Sequence, residues 1–201
     1  MERQTQSPSL LKKIFGGVLS TKRERFESQA ERVYPSVFNL ALRLTRSREE
    51  AEDLAQEAVI RAYEAFDRFD GSNFKAWILR ITTNAYINRY RQSQRIPSHI
   101  ALDDDRTSEP ADESELSPEQ QLLENVLAPE VENALASLPE EFKMTVILSD
   151  IEGLTYLEVA EVLDVPVGTV RSRLARGRSL LRRSLAKYAT QEGYINQEVK
   201  K

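Results

Sequence analysis

The sequence contains no cysteine among its 201 residues, and this absence excludes several classes of site. Without thiols the chain cannot form a disulfide framework, a zinc site built on thiolates or a thiol-based redox switch of its own. Histidine is almost as rare, because His99 stands alone and leaves no pair of imidazoles to bind a metal. We therefore expect neither a metal site nor a cofactor.

Long hydrophobic runs are also missing from the sequence. A membrane-spanning helix needs about 20 apolar residues, whereas the longest early apolar stretch, at 14–19, is interrupted by Gly16 and Gly17. This stretch lacks the cleavage pattern of a secretory signal peptide. We therefore expect no membrane insertion and a cytoplasmic location.

The residue patterns of common enzymes are absent as well. The sequence shows no glycine-rich phosphate loop, no nucleophile paired with a base and no pair of carboxylates typical of a catalytic pocket. We therefore expect no catalytic residues and no small-molecule substrate, and we interpret the chain as a binding protein.

Charged residues are abundant, and their signs are sorted along the chain. The net charge is −4, yet residues 74–95 and 167–187 carry basic side chains and no acidic ones. Residues 103–124 carry nine acidic side chains against Arg106 alone. Basic segments without acids are typical of surfaces that bind nucleic acid. The pattern predicts two cationic surfaces joined by an anionic segment.

Apolar residues recur at helical spacing in both cationic parts of the chain. In the first part, Ser47 and Glu50 form the capping-box pattern that starts a helix, and residues 70–73 break the helical pattern. In the second part, Pro129 and Pro139 separate short helices. We therefore predict an all-α fold.

The helical pattern divides the chain into two small domains. We predict one helical domain at 24–95 and a second at 127–188, joined by a flexible acidic linker at 96–126. The linker is too polar to bury the surface that an ordered structure needs. Residues 1–23 lack a sustained period, and we predict flexible extensions there and at 189–201.

Residues 153–174 show the pattern of a helix-turn-helix. Thr155 and Glu158 form a capping box, and residues 164–166 make a short turn before a second helix that is basic and free of acids. The second helix of this motif enters the major groove by its N-terminal residues, where arginine can contact guanine through two hydrogen bonds. We predict contacts to duplex DNA from Arg171, Ser172 and Arg176, with Thr169 and Arg173 beside them.

Two separate stretches resemble one protein family. VPVGTVRSRL at 165–174, followed by Arg176 and Arg178, resembles region 4 of the extracytoplasmic-function (ECF) sigma factors of bacterial RNA polymerase. AEDLAQE at 51–57 and NFKAWILRI at 73–81 resemble their region 2. Two motifs in the right order, with an acidic linker between them, are more specific than a helix-turn-helix alone.

The resemblance implies a function and a set of partners. A member of this family binds core RNA polymerase through the clamp coiled coil and the flap, recognises the −35 and −10 promoter elements and promotes promoter melting. Core polymerase and promoter DNA are therefore the implied partners. An anti-sigma factor is a further candidate, since many relatives are inhibited by one.

The resemblance also assigns contact residues. The helix that matches 51–66 docks on polymerase in the family, which implies contacts from Asp53, Gln56, Glu57 and Arg61. The following loop and helix capture a base of the melted −10 strand, with an aromatic ring for stacking and amides for the base edge. The matching residues are Asn73, Phe74, Lys75, Arg80, Asn84, Asn88 and Arg91.

Two other interpretations compete with this one. A stand-alone helix-turn-helix transcriptional regulator would account for 155–185 but gives no role to 24–95. A module that uses the same fold to sequester another protein would bind a partner without directing transcription. Binding to a palindromic duplex without polymerase would favour the stand-alone regulator.

Overall fold

The computed structural model describes residues 21–95 and 127–194, which form two compact helical units. No β-strand occurs in these two ranges, so the described chain is all-α with two domains, as predicted. No helix within them is long and apolar enough to cross a membrane. The predicted linker at 96–126 lies outside the described residues.

Three α-helices and a short 3-10 turn make up the unit at 21–95. Helix α1 runs over Thr21–Thr45, α2 over Arg48–Ala65 and α3 over Phe74–Arg95, with the 3-10 turn at Phe66–Arg68. Each helix packs against the other two. The largest fully buried side chains are Phe26, Val37, Leu40, Leu54, Val59, Ile78 and Leu79.

Helix α2 begins where its capping residue predicts. The hydroxyl of Ser47 accepts a hydrogen bond from the backbone amide of Glu50 at 3.4 Å, which satisfies one of the unpaired donors of the first turn. The alanines and leucine at helical spacing on this helix are buried against α1 and α3. The polar residues therefore remain on the outer face of α2.

Aromatic rings hold the two ends of the loop between α2 and α3. The ring of Phe26, from α1, makes edge contacts with Phe66 and Phe74 at centroid distances of 5.3 and 5.8 Å. Phe69 and Trp77 complete the cluster, with centroids 5.1 Å apart. Trp77 is half-buried and packs as part of this ring cluster. Edge-to-face packing of this kind adds to the free energy gained from burial.

Four α-helices form the unit at 127–194. Helix α4 runs over Pro129–Ala136 and α5 over Glu140–Val146, after which a π-helical turn continues over Ile147–Ile151. Helix α6 runs over Tyr156–Leu163 and α7 over Val167–Gln191. The last helix packs against the other three and continues past the predicted domain end at 188.

The helix-turn-helix is formed by α6 and α7. Both bonds of the capping box are present, since Thr155 accepts from the amide of Glu158 and the Glu158 carboxylate accepts from the amide of Thr155. Asp164 closes α6 in the left-handed region, with a φ of 52°, and Pro166 precedes the first residue of α7. Short polar residues such as aspartate tolerate this conformation. The local signals therefore predict this motif correctly.

The apolar side of α6 differs from the predicted one at its first residue. The helical period places Tyr156 on the apolar side, yet it is 37% exposed, and Val162 is buried with Val159 and Ala160. Tyr156 stands at the first position of the helix, and its hydroxyl reaches the guanidinium of Arg178 rather than the core. The helical period alone does not reveal this contact.

Helix α7 approaches α5 closely at Gly177. This glycine is buried, and a β-carbon placed on it would lie 2.8 Å from Cγ2 of Val146 and 3.4 Å from Cβ of Phe142. Real β-carbons essentially never approach a neighbour at the shorter of these distances. The close packing of α7 against α5 therefore depends on a residue without a side chain.

Candidate functional site

The N-terminal half of α7 presents a cationic face to solvent. Arg171, Ser172 and Arg176 are all exposed, and we call them the α7 face. The Ser172 hydroxyl donates to the carbonyl of Thr169 at 2.9 Å, which leaves its oxygen able to accept. Neither arginine has an ion pair among the described residues. The structure thus brings together the three residues first predicted to contact duplex DNA.

Arg173 occupies a different side of the helix. Its guanidinium lies 3.1 Å from the carboxylate of Glu141 on α5, and its side chain is largely covered. The sequence groups Arg173 with the residues predicted to contact DNA because spacing alone does not show which face of α7 meets α5. The structure instead gives Arg173 a role in holding α7 on the rest of the unit.

Arg178 forms a brace between α7 and the π-helical turn. Its Nε donates to Asp150 at 2.9 Å and a terminal nitrogen donates to the other carboxylate oxygen at 2.6 Å. Such two-point pairing fixes geometry as well as adding energy. The hydrogen bonds that Arg178 donates to Asp150 and Tyr156 raise its pKa, and it stays charged. Through Asp150 and Tyr156, the brace connects α7 to the π-helical turn and to the start of α6.

Breaking this brace is expected to loosen the second unit slightly. Because the pair is partly exposed, Asp150→Asn should lower the free energy of unfolding by up to about 1 kcal/mol. Urea denaturation measures the difference, and Glu161→Gln, at an exposed position on α6, is the matched change of charge. Equal stability of the two variants would show that the brace contributes nothing.

A second polar face lies along α3. Arg80, Asn84, Asn88 and Arg91 are exposed and follow each other at spacings of four, four and three residues. Residues at this spacing share one side of a helix. We call them the α3 face. It combines two amides, which can pair with a base edge, and two guanidinium groups, which can pair with phosphates.

The loop before α3 has a defined conformation. Asp70 accepts hydrogen bonds from the Ser72 amide at 2.9 Å and from its hydroxyl at 2.7 Å, and these bonds lower the pKa of Asp70. Gly71 has a φ of 85°, which few other residues adopt. The amide oxygen of Asn73 accepts from the backbone of Ala76 at 3.1 Å. Asn73 thus caps α3 and is also exposed to solvent, where a ligand can reach it.

The ring of Phe74 is not exposed enough to stack on a base. The ring is only 8% exposed, because it packs among Phe26, Phe69 and Trp77. Lys75, the next residue, is half-buried. The expectation that Phe74 stacks on an exposed base is therefore wrong for this conformation, and the α3 face carries the amides and charges without it.

The outer face of α2 forms a shallow groove together with α3. The predicted residues Asp53, Gln56, Glu57 and Arg61 all line it. Ile60 lies among them and is 41% exposed. We call this surface the α2 groove; its full lining is Asp53, Gln56, Glu57, Ile60, Arg61, Glu64 and Arg89.

Two arginines meet at Glu57 inside this groove. Arg61 lies 2.5 Å from Oε1, and the Nε of Arg89 donates to Oε2 at 2.9 Å. The helical spacing of Ile60 and Glu64 could have placed them in the groove from sequence. Arg89 comes from another helix, 32 residues further on, and no local pattern indicates it. In the described ranges, no cluster of three or more acidic or histidine side chains could hold a metal ion.

Both units match known families. Residues 30–96 match Sigma-70 region 2, and residues 129–181 match Sigma-70, region 4. The first match contains α2 and α3 with their groove and polar face. The second contains the helix-turn-helix and the α7 face.

Individual proteins with similar sequences are also sigma factors. The ECF RNA polymerase sigma factor SigE of Mycolicibacterium smegmatis is 40% identical over 168 residues, 84% of this chain and 63% of that protein. The chain thus spans less than two thirds of that relative. The ECF RNA polymerase sigma factor SigW of Bacillus subtilis is 31% identical over 182 residues, 88% of this chain and 97% of that protein.

Solved structures share the fold. The sigma factor RpoE of Bartonella quintana, determined with the anti-sigma factor NepR, has a TM-score of 0.65 and 26% identity over 81% of this chain and 98% of that chain. CnrH, determined with the cytosolic domain of CnrY, has a TM-score of 0.57 at 21% identity over 82% of this chain and 90% of that chain, which shows a shared fold.

The two family matches remove one of the interpretations that the sequence left open. A stand-alone helix-turn-helix regulator would not contain a region 2, and the match at 30–96 removes the support for it. The order of the two regions and the relatives that cover both lead to the same family. The chain belongs to the extracytoplasmic-function sigma factors of the sigma-70 family.

Proposed function

We propose that this chain is a transcription initiation factor that binds core RNA polymerase, recognises the −35 and −10 promoter elements and promotes promoter melting. The observation that carries the proposal is the presence of one polar or cationic face on each unit, with a separate groove on α2. One face can bind duplex DNA, the other can bind a single strand, and the groove remains for polymerase. The chain makes and breaks no bond in this role and is not an enzyme.

The α7 face is assigned to the −35 element. Its exposed arginines stand in the first turns of the second helix of a helix-turn-helix, which is the part that reaches base edges in the major groove. Thr169, half-buried one turn before Arg173, is a neighbour of the phosphate backbone in this assignment. The absence of acids over 167–187 favours a polyanionic ligand.

The α3 face is assigned to the melted −10 strand. Asn84 and Asn88 can pair with the edge of an unstacked base, while Arg80 and Arg91 contact the backbone. The loop at 70–73 lies next to the start of this helix and can contribute Asn73. Lys75 adds a positive charge at the first turn of α3.

The α2 groove is assigned to core polymerase. Asp53 and Gln56 offer exposed acceptors, and Ile60 offers an apolar centre between them. An apolar centre within a polar rim is the usual build of a protein interface. The clamp coiled coil is the proposed partner of this groove, and the flap is the proposed partner of the second unit.

Regulation by an anti-sigma factor is part of the proposal. RpoE of Bartonella quintana, a structural neighbour, is in complex with the anti-sigma factor NepR. A partner of this class would cover the faces that bind DNA and polymerase. We also propose that the chain acts in the cytoplasm, with the domains at 24–95 and 127–188 extended to the helix ends at Thr21 and Gln191. The linker at 96–126 and the flexible ends of the chain remain predictions.

Reconstituted transcription tests the function. The purified chain is added to core RNA polymerase on genomic template fragments, and start sites are mapped from the products. We expect transcripts that begin at defined sites only when both components are present. Asp53→Ala combined with Gln56→Ala should reduce them about tenfold or more, since hot-spot residues of an interface cost over 1 kcal/mol each. Failure to bind core polymerase with any inhibitor removed would refute the proposal.

A further inference from the structure

One ion pair joins two surfaces of the first unit that serve different ligands. Arg89 lies on α3 directly after Asn88, a residue of the α3 face. Its Nε donates to Oε2 of Glu57 at 2.9 Å, and its terminal nitrogen contacts the same oxygen. Glu57 belongs to the α2 groove. A carboxylate of the α2 groove therefore holds a guanidinium from the helix that carries the α3 face.

The ion pair between Glu57 and Arg89 is accessible to a binding partner that could break it. The Glu57 side chain is 25% exposed and that of Arg89 is 41% exposed, so both are accessible from solvent. Arg61 occupies the other oxygen of the same carboxylate. Ion pairs at this exposure are weak. A cationic group that entered the α2 groove could therefore replace Arg89 at Glu57.

We propose that Arg89 couples polymerase docking to strand binding: when a basic side chain of the polymerase takes the Glu57 carboxylate, Arg89 is released to the phosphates of the melted strand. This inference rests on the proposed function and adds a regulatory link between its two surfaces. The chemistry needs only an exchange of partners at one carboxylate. No new fold or bond is required.

The coupling must act in both directions. If polymerase docking makes Arg89 available to DNA, then DNA bound at Arg89 must strengthen the hold of polymerase on Glu57 by the same factor. The chain alone would then bind a single strand less tightly than its count of basic residues on α3 suggests. In the complex with polymerase, the chain would gain one phosphate contact, through Arg89, without movement of a helix.

The free chain provides the first test. A labelled single-stranded DNA oligonucleotide is titrated with the wild-type protein, Glu57→Gln and the double variant Glu57→Gln with Arg89→Gln. Glu57→Gln should raise the affinity about threefold, the effect of releasing one exposed ion pair. It should also steepen the log-log salt dependence by about 0.7, the value for one added contact on a single strand. Arg89→Gln should cancel both gains.

A matched change of charge separates this effect from simple electrostatics. Glu49→Gln removes the same charge from the same helix, at an exposed position outside the α2 groove. We expect it to show no increase in the salt dependence. The proposal is overturned if Glu49→Gln binds the oligonucleotide as tightly as Glu57→Gln does, or if the gain survives in the double variant.

The holoenzyme provides the second test. Arg89→Gln should weaken binding of the oligonucleotide several-fold more in the complex with core polymerase than in the free chain, because Arg89 is released only in the complex. Arg91→Gln, which removes an exposed charge of the α3 face, should weaken both states by the same factor. Equal losses for Arg89→Gln in the two states would overturn the coupling. A chain that does not bind polymerase at all would instead refute the proposed function, while the free-chain titration still decides whether Glu57 restrains Arg89.

Discussion

Gly177→Ala is expected to destabilise the second unit by about 1–2 kcal/mol. The added β-carbon meets Val146 at 2.8 Å, and overpacking of this kind costs about 1–3 kcal/mol. The gain in helix propensity from glycine to alanine offsets at most about 1 kcal/mol of this cost. In a unit of this size the midpoint of thermal unfolding should fall by at least about 4 °C.

Gly168 provides the control on the same helix. A β-carbon at this position meets no atom within 4 Å, so Gly168→Ala should leave the melting temperature unchanged or raise it. Calorimetry of the two variants without DNA measures the difference directly. If Gly177→Ala melts with or above the wild type, then α7 and α5 are not packed as closely as the structure indicates.

Arg171→Ala combined with Arg176→Ala is expected to lower the affinity for the upstream duplex about 100-fold. Each arginine that contacts a base edge contributes about 1–3 kcal/mol of discrimination, and 1.4 kcal/mol corresponds to a factor of ten. The duplex to use is the upstream element of a promoter mapped from the reconstituted transcripts. Titration with the holoenzyme over a range of sequences and salt concentrations gives both affinity and specificity.

Lys187→Ala removes one positive charge further along α7, for comparison with each arginine of the double variant. Lys187 is exposed and lies three turns beyond Arg176, outside the part of the helix that reaches the groove. We expect it to lower the affinity little and to leave the preference for the mapped sequence intact. If Lys187→Ala and the double variant lose affinity and sequence preference equally, α7 binds only as a diffuse positive charge.

Features that depend on neighbours along the chain could be predicted from the sequence. Thr155 and Glu158 are three residues apart, and the capping box that they form is present in full. The alternation of exposed and buried positions on α3 likewise follows from its period, which places Asn84 and Asn88 on one side. Local spacing and backbone chemistry determine these features, so one sequence is enough to find them.

Features that depend on contacts between helices could not be predicted in the same way. Arg178 and Asp150 are 28 residues apart, and nothing in either local pattern selects this pair over other opposite charges. The burial of Phe74 likewise needs rings contributed by α1 and by the turn after α2. Tertiary packing therefore decides which cations and rings stay available to a ligand: it buries Phe74, pairs Arg173 with Glu141 and leaves Tyr156 exposed.

The ring cluster at the base of the loop between α2 and α3 has a consequence for how this protein can evolve. Phe69 and Phe74 flank the loop with ring centroids 5.5 Å apart, whereas residues 70–73 between them are exposed and bury no apolar surface. Exchanges at these positions therefore leave the core intact, provided that the positive φ of Gly71 and the cap at Asn73 are kept. Under the proposed function, promoter preference is expected to change through such exchanges while the fold and the α2 groove are inherited intact.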